Sequence, residues 1–241
     1  HCAEGRNPAN DGVFVHAYQP FWGNPKVRFH FSKVQSYTVN PDFDNGPNKS
    51  DTAIITMKNP LDLEDFETVD LASPSTPVQD GDIVNVYGFG RLSESDDSSV
   101  ETLQRVSMAY ISSASCQDYY PDGDVLEDMF CAGDEDGGRD ACSGDSGGPL
   151  VKQVDGTNVV LGLVLWGDGC GRADKPGVYT SVQYHYDWIR STVCDDPNVD
   201  ILTRLCFDEP SLSRMTASST VPSSIPSAAP SGTPSSPLLS T

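Results

Sequence analysis

The sequence contains no run of eighteen apolar residues in its 241 positions, which argues against a membrane-spanning helix. It contains no C-x-x-C pair, and its four histidines do not cluster with its cysteines, so a metal site of the zinc type is not expected. Cations are scarce: 15 Lys and Arg stand against 35 Asp and Glu, a net charge of −20. Nucleic acid and anionic membranes would repel so acidic a chain, and neither is expected as a partner. There is also no initiating Met and no signal-peptide pattern.

Seven cysteines are present, at positions 2, 116, 131, 142, 170, 194 and 206. Their wide spacing suits a disulfide-bonded extracellular protein. Six cysteines admit many pairings, and spacing alone selects none of them. The seventh lacks a partner. Secreted-type cysteines without an export signal suggest a mature piece or a fragment, with a signal peptide expected upstream.

From Val13 to about Val193 the chain reads as short strands. VRFHF, YTV, AIITM, DIVNVYGFG, NVVLGLVLWG and GVYT are rich in β-branched and aromatic residues, and Gly, Pro, Asn and Asp clusters bound them. This spacing predicts an all-β sandwich or barrel. LASPSTPVQDGD, residues 71–82, reads as a connector between two lobes. One helix is expected over SVQYHYDWIRSTV, residues 181–193, where Val182, Tyr186, Ile189 and Val193 share a face. His185 on that helix reads as a surface or packing residue. A shorter helical turn is expected over 113–119. After Cys206, prolines recur every four residues among Ser, Thr and Ala, a composition too poor in apolar groups to fold, so a disordered tail is expected.

The stretch GRDACSGDSGGPL, residues 138–150, sets Ser146 among four glycines and a proline. A serine hydroxyl needs a base to take its proton and donors to hold the oxyanion that forms. Glycines permit a backbone path that turns two N–H groups toward one point, here those of Gly144 and Ser146. Together with SDTAIITM, YGFGR, LQRVSMAYIS, MFCAG, VLWGDGCG, KPGVYTSV and the YDWI helix, this loop resembles the trypsin-like serine proteases, over roughly three-quarters of the chain and in that family's order.

The resemblance implies two antiparallel Greek-key β-barrels, the first incomplete, then a C-terminal α-helix and a disordered tail. The corresponding divisions are 1–72 as the remnant of the first barrel, 73–193 as the second barrel and its helix, 194–206 as a disulfide-closed extension, and 207–241 as the tail. It implies a secreted endopeptidase that cleaves after Arg or Lys, with protein or peptide substrates, a monomeric state and no cofactor or metal. Ser146 is then the nucleophile, Asp51 the orienting carboxylate and His1 the base, His1 resting on the His-Cys pair and on chain order. His16 and His30 are rivals without the following Cys. Gly144 and Ser146 form the oxyanion hole. Asp140 is the base of the specificity pocket, with Ala141 beside it; Gly167 and Gly177 are its walls, and Leu165 and Trp166 border the substrate. Ala141 stands where many relatives have Ser, which favours Arg over Lys. The family pattern pairs Cys116 with Cys131 and Cys142 with Cys170, leaving Cys194 for Cys206.

Two departures carry expectations of their own. In the family a freed terminal ammonium pairs with the acid preceding the nucleophile, here Asp145. His1 cannot supply it while serving as the base, so Asp145 is expected to turn outward and leave the pocket unformed, as in a zymogen. Leu165 stands where relatives have a serine that donates to the orienting carboxylate. The competing function is a catalytically inactive protease-like binding or inhibitor module.

Overall fold

The computed structural model describes residues 1–3, 5–7, 14–17, 30–60, 68–95, 100–197 and 204–206. The chain divides into two units, His1–Val199 and Asp200–Thr241. Within the second unit, Arg204–Cys206 forms a single 3-10 turn. The expected disordered tail lies outside the described residues.

The first unit opens with an antiparallel three-stranded sheet of β1 (Phe14–Ala17), β2 (His30–Val39) and β3 (Ala53–Met57), in that order. Next come β4 (Asp70–Leu71), β5 (Ile83–Gly88), β6 (Gln104–Ile111), β7 (Met129–Gly133), β8 (Pro149–Val154), β9 (Thr157–Trp166) and β10 (Gly177–Ser181). Strand β5 pairs with both β6 and β8, β7 joins β6 to β10, and β9 joins β8 to β10. The result is a closed antiparallel barrel of six strands, to which β4 adds in parallel along β9. Closure removes the unpaired edges that an open sheet would expose.

Alternation explains which residues face inward. Val84 and Val86 of β5 are buried, and Val84 lies opposite the fully buried Met108 of β6. Leu150, Leu161 and Tyr179 fill the same core. Each such side chain contributes about 1.5–3 kcal/mol on leaving water. Phe130 stands between Tyr110 and Tyr179, with ring centroids 4.9 and 5.8 Å away. The β8–β9 hairpin turns at Asp155-Gly156, with φ values of 49° and 84°, the paired positive angles of a two-residue turn that matches strand twist.

Helix α1 (Ser113–Cys116) is the short turn, and α2 (Val182–Cys194) is the terminal helix. Ser181 caps α2 by accepting the Tyr184 N–H at 3.2 Å. The Gln183 side-chain amide donates to the carbonyls of Ser73 and Thr76, so the helix anchors the connector. Cys116–Cys131 and Cys142–Cys170 are bonded, and Cys194 and Cys206 are each in a disulfide. Cys2 is free and exposed.

Candidate active site

Asp51 sits in a tight turn between Ser50 and Thr52, where the Thr52 N–H donates to the Ser50 carbonyl at 2.7 Å. Its carboxylate meets His1 twice: Oδ1 accepts from the α-nitrogen and Oδ2 pairs with imidazole Nδ1. An amide N–H at the α-nitrogen would make the first of these bonds equally well. A carboxylate accepts only, so Nδ1 carries the hydrogen in this pair and Nε2 is left free of Asp51. The rivals lie elsewhere: His16 is in β1 and His30 begins β2.

Ser146 lies on the loop between β7 and β8 and is exposed. Two bonds stitch that loop to β9, from Gly147 N to Val164 O (2.8 Å) and from Val164 N to Gly148 O (2.9 Å). Gly144 has φ 99°, a conformation that disfavours any residue with a Cβ. Among the described residues, the amides of Gly144 and Ser146 have no acceptor, and Ser146 Oγ makes no hydrogen bond to the imidazole. His1 and Asp51 are therefore brought together, and the Ser146 hydroxyl is not bonded to them.

A cavity of about 240 Å³ opens beside Ser146, lined in part by Asp140, Ala141, Leu165, Trp166, Gly167 and Gly177. Asp140 Oδ1 accepts the Ala141 N–H (2.8 Å) and Oδ2 accepts the Gly171 N–H (2.9 Å). Burial nevertheless pushes its carboxyl up to about 6, because two amides offset only part of the lost hydration. A Cβ on Gly177 would come within 2.7 Å of Asp140 Oδ1, so a side chain there would displace the carboxylate.

Residues 1–189 match the protein-family model described as Trypsin. The chain belongs to the trypsin family. It is 44% identical over 108 residues to Trypsin-1 of Astacus astacus, covering 45% of each chain. It is 37% identical over 155 residues to Trypsin-3 of Salmo salar, covering 64% of this chain and 63% of the relative. It is likewise 37% identical over 155 residues to a vitellin-degrading protease of Bombyx mori, covering 64% of this chain and 57% of the relative. The chain thus spans between 45% and 63% of the length of these relatives.

One expectation drawn from the trypsin family is corrected. Asp145 does not turn outward. Its Oδ1 accepts the Gly90 N–H (2.8 Å) and its Oδ2 accepts the Cys142 N–H (3.0 Å). These two backbone donors hold the carboxylate inward. The inward pose also needs room: a Cβ on Gly88 or Gly90 would lie 1.9 or 2.6 Å from the carboxylate, which explains both glycines of YGFGR. The cavity that Asp140 lines is open, and a second cavity of about 260 Å³ reaches Asp145 from the side of Gly138 and Leu92.

Leu165 is buried among Tyr120, Val125, Met129 and Val178 rather than projecting a polar group. Leu165→Ser is therefore expected to lower stability by about 2–5 kcal/mol, because the lost packing leaves a cavity. The urea midpoint of unfolding reads this, and an unchanged midpoint would contradict the packing argument.

His185 is a packing residue with polar partners that its sequence context does not announce. It is buried, pairs with Asp128 and meets Asn40. Asp128 and Asn40 carry no local motif; only folding places them beside the Asp51 turn.

Proposed function

We propose that this chain carries the active site of a secreted serine endopeptidase that cleaves after Arg, and less readily after Lys. The observation that carries this reading is one cavity lined by both an exposed serine, Ser146, and a half-buried carboxylate, Asp140. His1 Nε2 takes the Ser146 proton as Oγ attacks the substrate carbonyl carbon. The oxyanion is held by the Gly144 and Ser146 amides. The imidazolium then donates its proton to the leaving nitrogen as the C–N bond breaks, and water repeats the sequence to release the acyl group.

Asp140 supports selection of a cation, because a carboxylate already desolvated gains most from a bound opposite charge. Ala141 offers no hydroxyl to a compact ammonium, which favours the longer guanidinium with its several donors. Trp166 and Gly167 leave a strand-like edge along which an extended peptide pairs. The cavity beside Asp145 is of a size to receive a terminal ammonium, which would add an ion pair to the two amide bonds already made. Disulfide-bonded cysteines support an extracellular setting.

Leu165 favours a second reading, a binding or inhibitor module that has lost turnover. A fluorophosphonate separates the two. The enzyme is expected to form a phosphonyl adduct that peptide mass spectrometry maps to Ser146 of the full-length protein. An unmodified Ser146 under conditions that label a control protease would favour the binding module.

A further inference from the structure

Behind the Asp51 turn lies a buried polar chain that the acyl-transfer steps do not use. Asp128, just before β7, is completely buried, as is nearly all of His185 on α2. Asp128 Oδ2 accepts the Ser50 N–H at 2.6 Å and faces His185 Nε2 at 3.4 Å. On the other edge of the ring, His185 Nδ1 lies 3.3 Å from Asn40 Nδ2, which also donates to Thr52 Oγ1 at 3.1 Å. The Asn40 N–H donates to the Thr52 carbonyl at 2.9 Å.

The hydrogens can be assigned from these contacts. Asn40 Oδ1 accepts the Asp42 N–H at 3.0 Å, so the amide cannot flip without setting donor against donor. Asn40 Nδ2 is thus the donor toward His185 Nδ1, and His185 must donate from Nε2 to Asp128. Both residues flanking Asp51 are tied: Ser50 to Asp128, and Thr52 to Asn40. Ser50 is also held at φ 52°, a left-handed conformation that costs a non-glycine residue about 1–2 kcal/mol. Such a conformation persists only where its surroundings over-determine it.

We propose that Asp128, seated against His185, is a positioning residue for Asp51: the buried bridge from α2 and β7 to Ser50, with the Asn40–Thr52 link, fixes the turn that presents the Asp51 carboxylate to His1. This rests on the proposed His1–Asp51–Ser146 chemistry. Burial would push the Asp128 carboxyl up, but the His185 and Ser50 bonds outweigh it and hold the group below its usual range, so it is the anionic end of the bridge. Other titratable groups nearby are Tyr184, whose ring meets His185 edge-on at 5.0 Å, and Glu127, which accepts the Tyr184 hydroxyl.

Two substitutions separate positioning from bulk stability. Asp128→Asn keeps an oxygen for Ser50 and His185, and its NH2 replaces an oxygen, Oδ1, that has no partner. Asp128→Val removes the acceptor. In the full-length protein, sites are counted by fluorophosphonate titration and turnover is expressed per titrated site. Asp128→Val is expected to lower kcat about 10- to 100-fold with KM within about twofold, as a displacement near 1 Å at a catalytic group does. Its labelling rate, read with an uncharged fluorophosphonate so that Asp140 is silent, should show an acid limb moved to lower pH by on the order of one unit, because the imidazolium has lost its carboxylate. Asp128→Asn should restore most of the turnover.

If Asp128→Val melts earlier but keeps its kcat per site and its acid limb, the bridge is structural only and the proposal is overturned. It is also overturned if Asn and Val behave alike. Failure of the unsubstituted protein to label at Ser146 is a different result, which removes the underlying catalytic reading instead.

Discussion

Ser146→Ala is expected to abolish phosphonate labelling and to lower kcat by about four orders of magnitude or more. That size is the one known for serine-protease triads in general. The direction follows from the site. The exposed Ser146 hydroxyl borders the cavity that Asp140 also lines. Removing it leaves Asp140, Gly177 and the Gly144 and Ser146 backbone amides in place, so substrate affinity should change little. KM is therefore expected to stay within a few-fold while kcat collapses. His1→Ala should cost a similar amount, and the double variant no more than either single one, because residues acting as one unit are not additive. Turnover of a chromogenic Arg amide, before and after the substitutions, measures all of this. Substantial hydrolysis by a purified Ser146→Ala protein would place the nucleophile elsewhere.

Asp140→Asn is expected to divide function from stability. Truncating one partner of a buried charge pair costs about 2–5 kcal/mol, so kcat/KM for Arg substrates should fall roughly 30- to 5,000-fold. The unsubstituted protein should show the same loss on acidification. Its Asp140 carboxyl, raised by burial to about 6, protonates as pH falls through that value, and the pocket loses the charge that a guanidinium pairs with. For stability the sign is opposite. The folded value lies above the ordinary 3.8, so the folded chain binds this proton more tightly than the unfolded chain does. This group therefore lowers stability progressively as pH rises from about 4 to about 6. Asp140→Asn removes that cost, and its melting temperature at pH 7 should equal or exceed that of the unsubstituted protein. Thermal melts at pH 4 and pH 7, alongside kinetics, test both halves. A variant that is less stable at pH 7 would mean that the carboxylate's bonds to Ala141 and Gly171 outweigh its desolvation.

Much of the fold was legible without coordinates. The runs around Ile83–Gly88, Thr157–Trp166 and Gly177–Ser181 appear as strands, and α2 begins one residue after its expected start because Ser181 is its cap. The strands β7 and β8 were recognisable only as family motifs. Met129–Gly133 is buried along its whole length, so it lacks the alternation that marks a strand with one wet face.

The sequence by itself determined the chemistry that is local: a serine in a loop that only glycines allow, an acid six residues before it, and strand-forming runs punctuated by turns. Such features depend on backbone conformation over a few neighbouring residues, which composition controls. Tertiary structure alone decided that Asp145 turns inward onto Gly90, that Leu165 sits among apolar side chains, and that Asp128 meets Ser50 and His185. Those partners lie 55, 78 and 57 residues apart for Asp145–Gly90, Asp128–Ser50 and Asp128–His185. No local preference brings them together; they meet because closing the barrel and docking α2 bury their polar groups where only each other can satisfy them.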